Sequence, residues 1–263
     1  MTTLFQPGRK LLIGVVHLLP LPGAPRYRAG LDRVIEHAVN DARAYARGGA
    51  HAVIIENFGD VPFTRGNVGP ETVAAMAVAG REVRRAIELP LGFNVLRNDA
   101  MAALALCAAS GGDFIRVNVH TGAMITDQGL IEGNAYETLR YRAQVAPQAQ
   151  IFADIHVKHA VTLGAWQIED SARDALERGL ADALIISGFG TGMPAQVKDV
   201  ERVRTACPEG KILLGSGVTV ANAANYLRAV DGCIVGSSLK KGGKLAGPVD
   251  VTRVRALVRA MRT

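Results

Sequence analysis

The chain has 263 residues, 49% of them hydrophobic and 21% charged, which excludes a disordered segment and provides for one large core. Its 30 Lys and Arg exceed 24 Asp and Glu, a formal charge of +6, but the arginines are dispersed through stretches such as REVRRAIE and DVTRVRALVRAMR, which argues against nucleic acid and suits phosphorylated small molecules. No apolar run reaches the roughly 18 to 20 residues of a membrane span, and MTTLFQPGRK lacks the sections of a signal peptide, so a cytoplasmic protein is expected.

In chain order, short apolar runs alternate with helical patterns. LLIGVVH (11–17) precedes LDRVIEHAVNDARAYARGG, and AVIIEN (52–57) precedes PETVAAMAVAGREVRRAIE. LGFNVL (91–96) precedes DAMAALALCAASGG, and FIRVNVH (114–120) precedes a looser helix from Ala135 to Gln144. IFADIHVKH (151–159) is followed by SARDALERGL, ALIISG (183–188) by AQVKDVERVRTA, ILLGSG (212–217) by TVANAANYLRAV, and GCIVGSS (232–238) by DVTRVRALVRAMR. Eight such units in a chain of this length predict an α/β protein, one (β/α)8 TIM barrel spanning 1–263. An open doubly wound sheet is the competing arrangement, but no strand is followed by the G-x-G-x-x-G of a dinucleotide fold. Cys107, Cys207 and Cys233 lie apart in apolar segments, so they read as small core residues, not as disulfides or a metal site.

The polar residues collect where these strands end, which in a barrel is the mouth that carries the active site. His17 ends the first strand, Glu56 and Asn57 the second, and Asn94 and Arg97 mark the third. Arg116, Asn118 and His120 alternate along the fourth, and Asp154, His156 and Lys158, with His159, complete the fifth in FADIHVKH. Residues two apart on a strand share one face, so each row is expected to point inward. Any one of these groups alone reads more readily as a satisfied structural residue; five strand ends carrying them favour a site. The candidate catalytic residues are therefore Glu56, Asn94, Asn118, His120, Asp154, His156 and Lys158, with Asp154 or Glu56 as general base, His156 or His120 as acid, and Lys158 as electrophilic partner. If held for chemistry in an open mouth, Asp154 and Lys158 should tolerate Asp154→Asn and Lys158→Met without loss of stability.

Glycine and serine turns follow the later strands: SGFGTG, GSGV and GSSLKKGG. Small residues let a backbone approach a phosphate, and the usual phosphate site of such barrels lies after the seventh and eighth strands. Ser187, Gly188, Gly190, Gly215, Ser216, Gly217, Gly236, Ser237 and Ser238 are the candidate phosphate-binding residues, ahead of a helix at Thr219 and a short helix after Ser238. Lys240, Lys241 and Lys244 either add positive charge or are solvated. No cofactor is identified. A divalent metal is the competing expectation, since His120, Asp154, His156 and Glu56 are competent ligands, but no dense His/Cys spacing marks a metal site.

IGVVHLLPLPGAPRY, GGAHAVIIENFGDVPF, GFNVLRNDA, FIRVNVHTGAMITDQGLIEG, FADIHVKH, LIISGFGTG and LLGSGVT resemble the BtpA/SgcQ family over nearly the whole chain. The resemblance implies a barrel of the phosphate-binding type. The family takes its name from a member implicated in photosystem I biogenesis, and other members accompany carbohydrate-metabolism genes. Two functions follow as expectations: an acid/base enzyme on a phosphorylated sugar, nucleoside or similar metabolite, or a non-catalytic factor for photosystem I biogenesis or stabilisation. The expected partners are a phosphorylated small molecule and further copies of the chain in a homo-oligomer.

Overall fold

The computed structural model describes residues 4–157, 159–164, 166–188, 190 and 192–262. The helices form where apolar residues recur every three or four positions and stop where that pattern meets a breaker. In α1 (Leu31–Gly48), Val34, Ala38, Ala42 and Tyr45 are buried on one face, and Gly49 ends the helix at φ 85° in the left-handed region. Pro70 opens α2 (Pro70–Ala86). Asp99 caps α3 (Ala100–Ser110) by accepting from the Ala102 N–H. Next come α4 (Ala135–Val145), α5 (Ile168–Arg173), which continues as a π-helical turn to Arg178, α6 (Val197–Ala206) and α7 (Val251–Ala260). No helix among the described residues is long and apolar enough to cross a membrane.

The strands are β1 (Leu11–His17), β2 (Ala52–Glu56), β3 (Leu91–Asn94), β4 (Phe114–Val117), β5 (Ala123–Thr126), β6 (Gly129–Glu132), β7 (Gln150–Ile155), β8 (Ala160–Thr162), β9 (Ala183–Ile186), β10 (Ile212–Leu214) and β11 (Gly232–Val235). Eight of them close in the order β1-β11-β10-β9-β7-β4-β3-β2, every pair parallel, so the predicted (β/α)8 barrel is what the chain forms. Side chains alternate across each strand. One set packs outward under the helices, among them Val53, Ile55, Ile115, Ile151, Leu184 and Leu214. The other set fills the barrel, including Ile13, Ile54, Phe114, Phe152, Ile185 and Leu213, with Phe114 and Phe152 stacked 4.8 Å apart.

The structure departs from the expected elements in three places. β4 ends at Val117 and β7 at Ile155, short of the predicted 120 and 159. The segments that follow pair instead as a small antiparallel sheet in the order β6-β5-β8, a hairpin and a strand that short periods of alternation did not announce. The helix predicted over TVANAANYLRAV is only a 3-10 turn at Ala223–Asn225. There the Asn222 side chain competes with the helix: its carbonyl accepts from the Thr219 N–H at 2.8 Å while its amide donates to Gly217 O at 2.9 Å.

Candidate functional site

Climbing several of the strands, the inward residue changes from apolar to polar toward the C-terminal end. Ile54 gives way to Glu56 on β2, Phe114 to Arg116 on β4 and then Asn118 just beyond it, Phe152 to Asp154 on β7, and Ile185 to Ser187 beyond β9. Arg116 is the hub. Its Nε and Nη2 donate to the two oxygens of Asp154 at 2.8 and 3.0 Å, and its Nη1 donates to Glu56 Oε1 at 3.2 Å. Asn118 Nδ2 and Ser187 Oγ complete Asp154 at 2.9 and 3.2 Å. Asn94 Nδ2 donates to Arg116 O and to Asn118 Oδ1. Burial alone would lower the Arg116 pKa, but Asp154 and Glu56 outweigh it and raise the guanidinium above its ordinary range. Asp154 has no open lone-pair direction left. The second oxygen of Glu56 has no hydrogen bond among the described residues.

Two spaces open above this floor, and both are bounded by Glu56 and Arg116. The larger, about 360 Å³, is walled by Phe58, Phe63 and Leu96 and rimmed by Arg97, Asp127 and His159. Burial lowers the Arg97 pKa, against the pull of Asp154 and Asp127. The smaller, about 60 Å³, is enclosed by the turns after β10 and β11, with Gly215, Gly217, Gly236 and Ser237 around it and His17 beside it. Only glycine fits two of these positions. A Cβ on Gly215 would sit 2.3 Å from Ser187 Oγ, and Gly217 holds φ 71° with its Cβ direction 2.3 Å from Pro194 N.

The predicted residues divide accordingly. Glu56, Asn94, Asn118 and Asp154 meet on the floor, with Ser187 beside them rather than in the turn pocket. Gly215, Ser216, Gly217, Gly236, Ser237 and Ser238 line the turn pocket. The Ser216 and Ser238 hydroxyls are spent on Met193 O and Val218 O. Gly188 and Gly190 pack against Met193 and line neither space. His120 and His156 are corrections. His120 Nε2 donates to Gly179 O at 2.8 Å, and His156 Nε2 lies 3.1 Å from Ser171 Oγ on α5, so both rings face the helical layer. The cause is backbone: with β7 ended at Ile155, His156 adopts φ 52° and leaves the inward row. Burial lowers both pKa values. Lys158 lies outside the described residues. The expectation that Asp154 stands solvated in an open mouth is also overturned, since it is 4% exposed and ion-paired. Lys240 is neither a phosphate ligand nor solvated: it is buried and paired with Asp41 of α1 at 3.1 Å.

Sequence reasoning missed Phe58, Phe63 and Asp127 as lining residues. Asp127 sits at the tip of the β5–β6 hairpin, where Thr126 Oγ1 accepts from the Gln128 N–H, and TDQG carried that turn signal. Among the described residues no group of three or more His, Cys, Asp or Glu is arranged to hold a metal ion. The cysteines are buried thiols, with Cys107 and Cys233 pushed up to about 12 by burial.

Fold and site together define a (β/α)8 barrel with a polar, arginine-centred mouth. Solved structures agree on the fold: M. tuberculosis tryptophan synthase superposes with TM-score 0.63 at 17% identity, covering 97% of this chain and 94% of that one. Thiamine phosphate pyrophosphorylase from Pyrococcus furiosus superposes with TM-score 0.59 at 16% identity, covering 97% and 96%. The BtpA family model matches residues 8–263, and the chain belongs to that family. It is 46% identical to the photosystem I biogenesis protein BtpA of Synechocystis over 95% of this chain and 87% of that protein. It is 48% identical to an uncharacterized protein of Archaeoglobus fulgidus over 96% and 99%.

Proposed function

We propose that the protein is an acid/base enzyme acting on a phosphorylated small metabolite at the C-terminal mouth of the barrel. One observation carries the reading: Glu56 and Arg116 border both the cavity and the glycine-turn pocket, so a ligand anchored by phosphate at the turns extends directly over them. The turns after β10 and β11 are the seventh and eighth barrel strands' turns, where such barrels hold phosphate. Thiamine phosphate pyrophosphorylase, one of the structural neighbours, carries a phosphate compound in its name.

Within this reading Glu56 is the general base, because one of its oxygens has no hydrogen bond among the described residues while Asp154 is saturated. Asp154 then orients Arg116, whose fixed positive charge stabilises negative charge developing on the substrate. With His120 and His156 turned away, His159 at the cavity rim takes the acid role. The second reading, a non-catalytic assembly factor, is carried by the name of the Synechocystis relative alone. An arginine buried between two carboxylates costs desolvation that a docking surface has no use for.

The test is a melting-temperature panel of phosphorylated sugars against their unphosphorylated forms. Replacing Gly217 is unsuitable, since any Cβ there meets Pro194. Ser237→Glu places a negative charge at the turn pocket instead, where Ser237 Oγ makes no hydrogen bond among the described residues. We expect phosphorylated compounds alone to raise the wild-type melting temperature and Ser237→Glu to abolish the rise. An equal rise in the variant would contradict the site.

A further inference from the structure

One wall of the cavity is apolar, aromatic and braced. Phe58 and Phe63 present rings with centroids 6.2 Å apart, inclined at 64°, and both are only partly buried. Their loop is tied to the loop after β3 by three hydrogen bonds: Leu96 N–H to Asn57 Oδ1 at 2.7 Å, Arg97 N–H to Thr64 O at 3.1 Å, and Val68 N–H to Asp99 Oδ2 at 2.9 Å. The rings are thus held at the cavity instead of collapsing into the core, at a cost in exposed apolar area that a ligand would recover.

Beside those rings the cavity is lined by Arg97, itself only 4% exposed, and by Asp127, a planar cation and a carboxylate. A flat heterocycle with an N–H edge and a carbonyl edge matches that set, since guanidinium donates in plane and stacks on π-faces while carboxylate only accepts. Below them, Asn94 Oδ1 is buried with no hydrogen-bond partner among the described residues. A hydroxyl over Glu56, a flat ring over Phe58 and Phe63, and an anion at the glycine turns all fall within the two spaces that share Glu56 and Arg116.

We infer that the substrate is a sugar monophosphate carrying a planar nitrogen heterocycle, a compound of the nucleoside monophosphate class. The inference rests on the proposed function and narrows its substrate. The cavity, about 360 Å³, lies near the lower end of small-molecule pockets, roughly 300 to 1,000 Å³, so a mononucleotide suits it better than a dinucleotide.

Calorimetric titration with ribose 5-phosphate and with adenosine, guanosine, cytidine and uridine 5′-monophosphates tests it. At least one monophosphate should bind about tenfold or more tightly than ribose 5-phosphate, the gain expected from stacking one base on an aromatic side chain. Phe63→Leu, which keeps the wall apolar but removes the π-face, should erase that gain and leave ribose 5-phosphate binding unchanged. Phe58→Leu serves the same purpose should Phe63→Leu not fold. If sugar phosphates bind and no monophosphate binds more tightly, the heterocycle is wrong while the proposed function stands. If no phosphorylated compound binds, both fall.

Discussion

Among the described residues Asp154 carries four hydrogen bonds on its two oxygens and Glu56 carries one, so the two carboxylates beside Arg116 should answer substitution differently. Removing one partner of a buried ion pair strands the other, and Asp154→Asn should cost about 3 kcal/mol in denaturant unfolding. Glu56→Gln leaves Arg116 its bidentate partner, and should cost about 1 kcal/mol or less while eliminating turnover. Equal losses in the two variants would place both residues in the structural framework and remove Glu56 as the reactive group. The inward polar row was legible in the sequence wherever the strand persists, at Glu56, Asn94, Arg116 and Asp154. It misled at His120 and His156, because alternation of polar and apolar residues continues past the point where the backbone leaves the strand, and a positive φ at a histidine has no sequence signal.

At the scale of elements, the turn after β11 is fastened to α1 by Lys240 and Asp41, both buried, with Val249 N–H on the other Asp41 oxygen at 2.9 Å. Lys240→Met should lower stability by about 3 kcal/mol, and adding Asp41→Leu should restore part of that loss, a non-additivity read from a double-mutant cycle. Strict additivity would show that the pair holds nothing. The α1–β2 turn is fastened by His51, whose Nδ1 accepts from the Leu12 N–H at 2.9 Å and must therefore be unprotonated. Burial, with Arg9 and Arg262 nearby, lowers its pKa from the ordinary 6.5 to about 4. The unfolded chain binds that proton first, so this stabilisation is complete above about pH 6.5 and is lost as pH falls toward about 4. His120 and His156, also lowered by burial, act in the same direction. Melting temperature should hold near neutrality and decline below about pH 6.5, whereas a rise on acidification would contradict these assignments. Strands with continuous apolar runs and helices with clear periodicity were legible. The β5–β6–β8 sheet was not, because three- and four-residue strands leave too short a period, and Asn222 unmade a helix that its neighbours' propensities favour.

Across the whole molecule, eight parallel strands bring to one end residues that lie far apart in the sequence, Glu56 from the second strand and Ser237 beyond the last. That convergence was readable from eight repeated units, because a closed barrel puts every strand's end at the same mouth. What fills the mouth was not readable, since the Phe58 and Phe63 wall stands on loop bonds between distant segments. The molecule also has an arginine-lined groove, at Arg43, Arg47, Arg84 and Arg85 between the ends of α1 and α2, about 530 Å³ in volume, where an anion would compete with the mouth. Diffraction from crystals soaked with ribose 5-phosphate separates the two. Phosphate density should lie against the backbone of Gly217 and Ser237 with the sugar over Glu56 and Arg116; density confined to the arginine groove, or an empty mouth at saturating ligand, would overturn the assignment of the mouth as the phosphate-anchored site.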